Sequence, residues 1–147
     1  VAMYKHILIP IDGSSLANSG LEQALALARE LGASVTVLTV YSPFQMPSME
    51  TVQLEGMRGV YENQARELAS SYLSEAAGKA STAGVACVTE MRESESPYQV
   101  IVDVAMTRNC DLIAMSSHGR GGMAALLLGS QTQKVLAHST LPVLVYR

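Results

Sequence analysis

The stretch from Ser116 to Thr132 holds the residue types best suited to gripping a ligand. Gly119 and Gly129 stand with nine residues between them, and Ser130-Gln131-Thr132 follow directly, where a helical pattern begins. Small residues let the backbone approach a ligand closely. A helix start leaves its first N–H groups unpaired, here those of Ser130, Gln131 and Thr132, and the aligned peptide dipoles favour an anion beside them. The Ser130 hydroxyl adds one more donor. This is the build of a phosphate site. It is equally the build of a serine cap after an ordinary glycine turn, and the bare residues do not choose between the two.

Asp12 is the second candidate. It opens the turn cluster Asp12-Gly13-Ser14-Ser15 at the end of an apolar run. A carboxylate next to phosphates would repel them, so a ligand role for Asp12 is to accept from sugar hydroxyls or an amine. The competing reading is an Asx turn closed onto Ser14 or Ser15. Val40 could pack against a flat base or be plain core. Arg120 could reach phosphates, although a solvated loop arginine is the better reading, and Lys134 also reads as solvated.

Other chemistries find little support. GxxxxGK[ST] is absent, which excludes a P-loop. Gly119 to Ala124 fits GxGxxA by letter, but it follows a fourth strand and no acidic residue stands about 20 positions on, so a dinucleotide site is disfavoured. No GxSxG elbow exists for a Ser-His-Asp hydrolase. His6 begins a strand, His118 reads as a loop-ordering residue rather than a general base, and His138 reads as a helix C-terminal cap. Cys87 and Cys110 lie apart in apolar surroundings, without CxxC or a histidine at metal spacing, and read as reduced core residues of a cytoplasmic protein.

These residues need a scaffold, and length and composition limit what it can be. The chain has 147 residues, 48% of them hydrophobic, which suits one domain with a sizeable core, expected over residues 3–147. Val1-Ala2 reads as a cloning remnant ahead of Met3. Ten basic against thirteen acidic residues give a net charge of −3, which argues against a nucleic-acid partner. No apolar run reaches the ~18–20 residues of a membrane span. Charged residues are only 16%, below the usual ~25%, so part of the surface is expected to be buried against another subunit.

Apolar, β-branched runs predict strands at 5–11, 34–41, 85–91, 111–116 and 142–146. Helical periodicity fills 16–31, 51–83, 97–108 and 130–138, with Gly32 and Gly84 as stops and Ser96-Pro97-Tyr98-Gln99 as a capping box. Residues 42–50, with Pro43, Pro47, Met46 and Met49, form the longest loop. Met46, Met49 and Met57 could cover an interface or a ligand mouth. Strict β-α alternation gives an α/β fold, a parallel sheet with helices on both faces. Ligands of such sheets sit at the carboxyl ends of the strands where the winding reverses. Between the first and fourth strands, that point brings Pro10-Ile11-Asp12 against Ser116-Ser117-His118-Gly119.

Three segments then carry a resemblance: Met3–Ser15 (MYKHILIPIDGSS), Asp111–Gly122 (DLIAMSSHGRGG) and Leu126–Arg147 (LLLGSQTQKVLAHSTLPVLVYR) resemble the universal stress proteins over essentially the whole chain. The nucleotide-binding branch of that family carries G-x2-G-x9-G-[ST], which falls here on Ser116, Gly119, Gly129 and Ser130, with Ser116 in place of the first glycine. The resemblance implies five strands in the order 3-2-1-4-5 and ATP in the crevice, often with Mg or Mn at the phosphates and not on protein side chains. It implies Asp12 and Val40 at the adenosine end, lined by Pro10, Ile11 and Met115. Ser116, Gly119, Gly129, Ser130, Gln131 and Thr132 would hold ribose and phosphates, with Ser117, His118 and Arg120 alongside. It also implies a homodimer, and the fifth strand, 142–146, is then an apolar edge open to pairing with its copy. The function implied is a nucleotide-dependent stress-response or signalling module. The alternatives are a homodimer of the same family that binds no nucleotide and, less favoured for want of acid–base groups, a slow ATPase.

Overall fold

The computed structural model describes residues 3–43, 51–118 and 128–147. Among them strands and helices alternate: β1 (His6–Pro10), α1 (Ser15–Leu31), β2 (Ser34–Tyr41), α2 (Thr51–Ala83), β3 (Cys87–Glu93), α3 (Pro97–Thr107), β4 (Leu112–Ser116), α4 (Ser130–His138) and β5 (Val143–Tyr146). The strands form one parallel sheet in the order β3-β2-β1-β4-β5, as expected.

The sheet is covered on both faces, which is why its central strands are apolar without alternation. Ile7, Ile9, Val35 and Val37 face α1 and α2, packing with Leu21, Leu25, Leu73 and Ala76. Leu8, Leu38, Ile113 and Met115 face the other way, toward Ile101 and Val104 of α3 and Val135 of α4. Met57, on α2, is exposed. No helix of the described residues is long and apolar enough to cross a membrane.

Three helices end alike. Gly32, Gly84 and Asn109 adopt left-handed φ values of 66°, 72° and 55°. The next residues, Ala33, Val85 and Cys110, donate their N–H groups back to Ala28, Ala80 and Ala105 at 2.8, 2.9 and 2.8 Å. Each of the three is buried. This is a Schellman-type closure with an apolar plug. It corrects the start of β3: Val85 finishes the turn after α2, so the strand begins at Cys87 rather than at 85. Pro142 precedes β5 instead of opening it, although its carbonyl accepts from the Ile113 N–H at 3.0 Å.

Burial pushes the Cys110 thiol up to about 11, and Asp111 adds to the shift; burial raises Cys87 too. Both are free thiols, Cys110 buried and Cys87 half-buried on the edge strand. His6 Nε2 lies 2.6 Å from the Thr36 hydroxyl, so this histidine is a bonded strand residue.

Helix starts gather at the other pole of the sheet. Ser14 caps α1, its hydroxyl accepting from the Ala17 N–H at 3.1 Å. The capping box expected at Ser96 does not form: the Ser96 side chain makes no cap bond, and Ser94 Oγ accepts from the Ser96 N–H instead. The Tyr98 N–H of α3 donates to Gln131 Oε1 of α4 at 3.0 Å. The start of α3 is thus capped by Ser94, on the Ser96 N–H, and by a glutamine of the neighbouring helix, on the Tyr98 N–H.

Candidate functional site

A cleft of about 970 Å3 opens at the carboxyl ends of the strands, bounded by Pro10, Ile11 and Asp12 after β1 and by Met115, Ser116 and His118 after β4. Gly129, Ser130, Gln131 and Thr132 close one side and Val40 another. This is the reversal point of the sheet, where β1 has β2 on one side and β4 on the other. The volume lies at the upper end of the ~300–1,000 Å3 usual for small-molecule sites.

The end of β4 and the start of α4 are sewn together. The Gly129 N–H donates to the Ser117 carbonyl at 2.7 Å. The Thr132 hydroxyl donates to the carbonyls of Ser116 and Ser117 at 3.1 and 3.2 Å. Ser116 Oγ donates to the His118 carbonyl at 2.8 Å. Among the described residues helical bonding of α4 begins with the Gln133 N–H on the Gly129 carbonyl at 3.0 Å, and the first-turn amides are those of Ser130, Gln131 and Thr132. The cap residue Gly129 has φ −61° and ψ 155°, a conformation open to any residue. Space is what calls for glycine here: an added Cβ would lie 3.1 Å from the Ser117 carbonyl oxygen and 3.4 Å from His118 Cα.

His118 is 6% exposed. Its Nδ1 lies 3.1 Å from Ser117 Oγ, and its buried Nε2 has no hydrogen-bond partner among the described residues. A buried ring nitrogen left this way is costly unless something else supplies a partner.

Across the cleft, Asp12 Oδ1 accepts from the Ser14 N–H at 3.0 Å. Asp12 therefore forms the Asx turn and also borders the cleft. Gly13 makes that turn possible: its φ is +83°, and an added Cβ would overlap the Tyr72 ring.

The universal stress protein family model matches residues 3–147. The chain belongs to the universal stress protein family. A universal stress protein of Methanocaldococcus jannaschii is 32% identical over 148 residues, covering 99% of this chain and 83% of that one. The universal stress protein UspA of Lactobacillus plantarum superposes with a TM-score of 0.85 at 24% identity, over 100% of both chains. A universal stress protein in complex with cAMP superposes at 0.69, with 23% identity over 98% of this chain and 97% of that one. One from Archaeoglobus fulgidus in complex with dAMP superposes at 0.61, with 18% identity over 100% of both.

In this universal stress protein most of the residues named from the sequence converge, with some changes of role. Pro10, Ile11, Asp12, Val40, Met115, Ser116, His118, Gly129, Ser130, Gln131 and Thr132 all border the cleft. Gly119 and Arg120 lie outside the described residues, as do Met46 and Met49. Ser117 does not line the cleft; its hydroxyl turns to His118 and its carbonyl anchors Gly129. The side chains of Gln131 and Thr132 are occupied as braces, so these residues offer the cleft their amides. Ser116 in place of a glycine carries no left-handed strain, since Asn109 is the sole non-glycine residue with positive φ among those described. Its side chain instead packs toward Gly20 of α1, where an added Cβ would sit 3.5 Å from Ser116 Cβ.

Lys134 and His138 also line the cleft, although their sequence positions read as solvent and cap. The Lys134 ammonium sits 5.5 Å from the centre of the Tyr98 ring, and the His138 ring is 4.9 Å from the same ring. The His138 Nδ1 N–H also donates to the Lys134 carbonyl at 2.8 Å, so the cap reading describes part of its role. Spacing held the missing signal: residues 130, 134 and 138 recur every four positions and share a helix face. Among the described residues no three His, Cys, Asp or Glu side chains are grouped to hold a metal.

Proposed function

We propose that this universal stress protein binds an adenine nucleotide, with ATP its ligand in the cell, in the cleft between Asp12 and the start of α4. The observation that carries the proposal is the cradle at Gly129: the first-turn amides of Ser130, Gln131 and Thr132 beside a position where an added Cβ would crowd the Ser117 carbonyl oxygen at 3.1 Å. Phosphate oxygens take the amides, which the helix dipole also favours. The buried His118 Nε2 gains a partner, which it lacks among the described residues. Asp12 receives the hydroxyl-bearing end of the ligand, and Val40 and Met115 supply apolar contact for the base. Solved relatives bound to cAMP and dAMP support the ligand class. Any Mg or Mn is held through phosphate oxygens rather than by a protein cage.

The bound and free states are read by a partner, which makes the protein a nucleotide-dependent stress-response module. Its free thiols fit a cytoplasmic setting. It works as a homodimer joined along the β5 edge, where Leu144 is 36% exposed and half-buried Val143, Val145 and Tyr146 flank it. Calorimetric titration with ATP, AMP and cAMP tests the ligand reading. Saturable one-site binding is expected, and no heat with any of the three refutes it.

A further inference from the structure

The two sides of the cleft differ in charge. Among its described lining residues Asp12 is the one carboxylate, and it stands at the end of β1. Lys134 stands on α4, and no carboxylate pairs with it among the described residues; its ammonium lies 5.5 Å from the centre of the Tyr98 ring. The Tyr98 backbone N–H is tied to Gln131 Oε1 at 3.0 Å, which seats this residue beside α4, and the His138 ring lies 4.9 Å from the tyrosine ring. The ammonium thus stands beside the ring with no carboxylate to neutralise it among the described residues. A cation over an aromatic face keeps its attraction for an anion, and an exposed one exchanges its water readily.

Lys134 is four residues after Ser130, about 6 Å farther along the helix axis and on the same face. A phosphate seated on the first amides of α4 is satisfied by those amides and by His118, a residue 6% exposed whose Nε2 has no partner among the described residues. A second or third phosphate must project beyond that seat. Along α4 it meets Lys134; toward β1 it would meet Asp12, which repels it.

We propose that Lys134 is a specificity-determining residue that reads phosphate number, so that the cleft prefers nucleoside di- and triphosphates to monophosphates. This rests on the nucleotide reading above and adds to it a direction: the phosphate chain runs from the α4 amides along the helix toward Lys134. The cyclic and monophosphate nucleotides then use the amide seat alone.

The test compares AMP with ATP on the full chain, by calorimetry in chelator so that no metal neutralises the phosphates. Wild type is expected to bind ATP more tightly than AMP. Lys134→Met is expected to leave AMP affinity unchanged and to weaken ATP about tenfold, the size of one partly screened charge-assisted contact. Lys134→Arg should restore most of the preference. Lys134 is exposed, so melting temperature should hold in both variants. If wild type binds neither nucleotide, the nucleotide reading fails and this proposal with it. If wild type binds both and Lys134→Met weakens both equally, or neither, the nucleotide reading stands and the assignment of Lys134 is wrong.

Discussion

Gly129→Ala separates the cradle from the fold. The backbone at 129, φ −61° and ψ 155°, accepts alanine without strain, so any effect must come from the added methyl group. That carbon would lie 3.1 Å from the Ser117 carbonyl oxygen, where ordinary contact begins at 3.4 Å. Neither side is a flexible side chain. The start of α4 has to move a few tenths of an ångström from the end of β4, stretching the 2.7 Å bond from the Gly129 N–H and the Thr132 hydroxyl bonds at 3.1 and 3.2 Å. Mild overpacking plus one weakened buried bond costs about 1–2 kcal/mol. At about 2–4 °C per kcal/mol for a chain of this size, melting should fall by a few degrees, with the transition still cooperative. Val135, fully buried in the opposite core layer, keeps α4 seated. Affinity should suffer more, because three amides are re-aimed together; a loss of about tenfold or greater in ATP binding is expected, equivalent to about 1.4 kcal/mol. Calorimetry well below the melting point, with circular-dichroism melts as control, reads both numbers. Unchanged affinity with a lowered melting temperature would refute the placement of the phosphates at Gly129.

Further outcomes follow from other positions. Asp12→Asn can keep the Oδ1 bond to the Ser14 N–H, so the fold should persist while nucleotide affinity falls by about tenfold in the same titration; undiminished binding would take Asp12 out of the site. Burial pushes the Glu90 carboxyl up, but Arg92 and Arg108, at 3.1 and 3.2 Å from the same oxygen, outweigh it and hold it below the ordinary value. A lowered folded value means stability that is full above the unfolded carboxylate range and is lost as pH falls through the folded one. Glu90→Gln should therefore cost about 1 kcal/mol at neutral pH and progressively less in acid, measured by urea unfolding at pH 7 and pH 3. Leu144→Lys should convert a β5-joined dimer to monomer at micromolar concentration in light scattering without changing the circular-dichroism spectrum; a variant that stays dimeric places the interface elsewhere.

Local signals carried most of the fold into view, and non-local ones account for what stayed hidden. Strands β1, β2 and β4 are apolar runs without alternation because helices cover both sheet faces, and α1 and α2 end at glycines that the chain needs for its left-handed exits. Val85 looks like strand because it is apolar, yet its amide is spent closing α2. Ser96 looks like a side-chain cap because Pro97 and Gln99 follow it, yet the Gln99 N–H bonds the Ser96 carbonyl and Gln131 arrives from another helix to take the Tyr98 N–H. In the site, Asp12 and the Gly129-Ser130 step could be named from residue type and spacing. The inward turn of Ser117 could not, since it depends on which face of the strand end α4 covers. Lys134 was masked by a different rule: an isolated lysine on a helix usually faces water, and only the neighbouring Tyr98 makes this one part of a wall.

The three plugged helix exits sit at the rim opposite the cleft, each with a small or apolar residue driven under the sheet: Ala33, Val85 and Cys110. Structural insurance is thus concentrated at one end of the molecule and ligand handling at the other. Changes at the plugged rim should be felt as lost folding with affinity intact per folded molecule. Changes at the open rim should retune what is bound while the scaffold persists. A chain divided in this way can be given a new ligand by redrafting the loops after β1 and β4, with the far rim left as it stands.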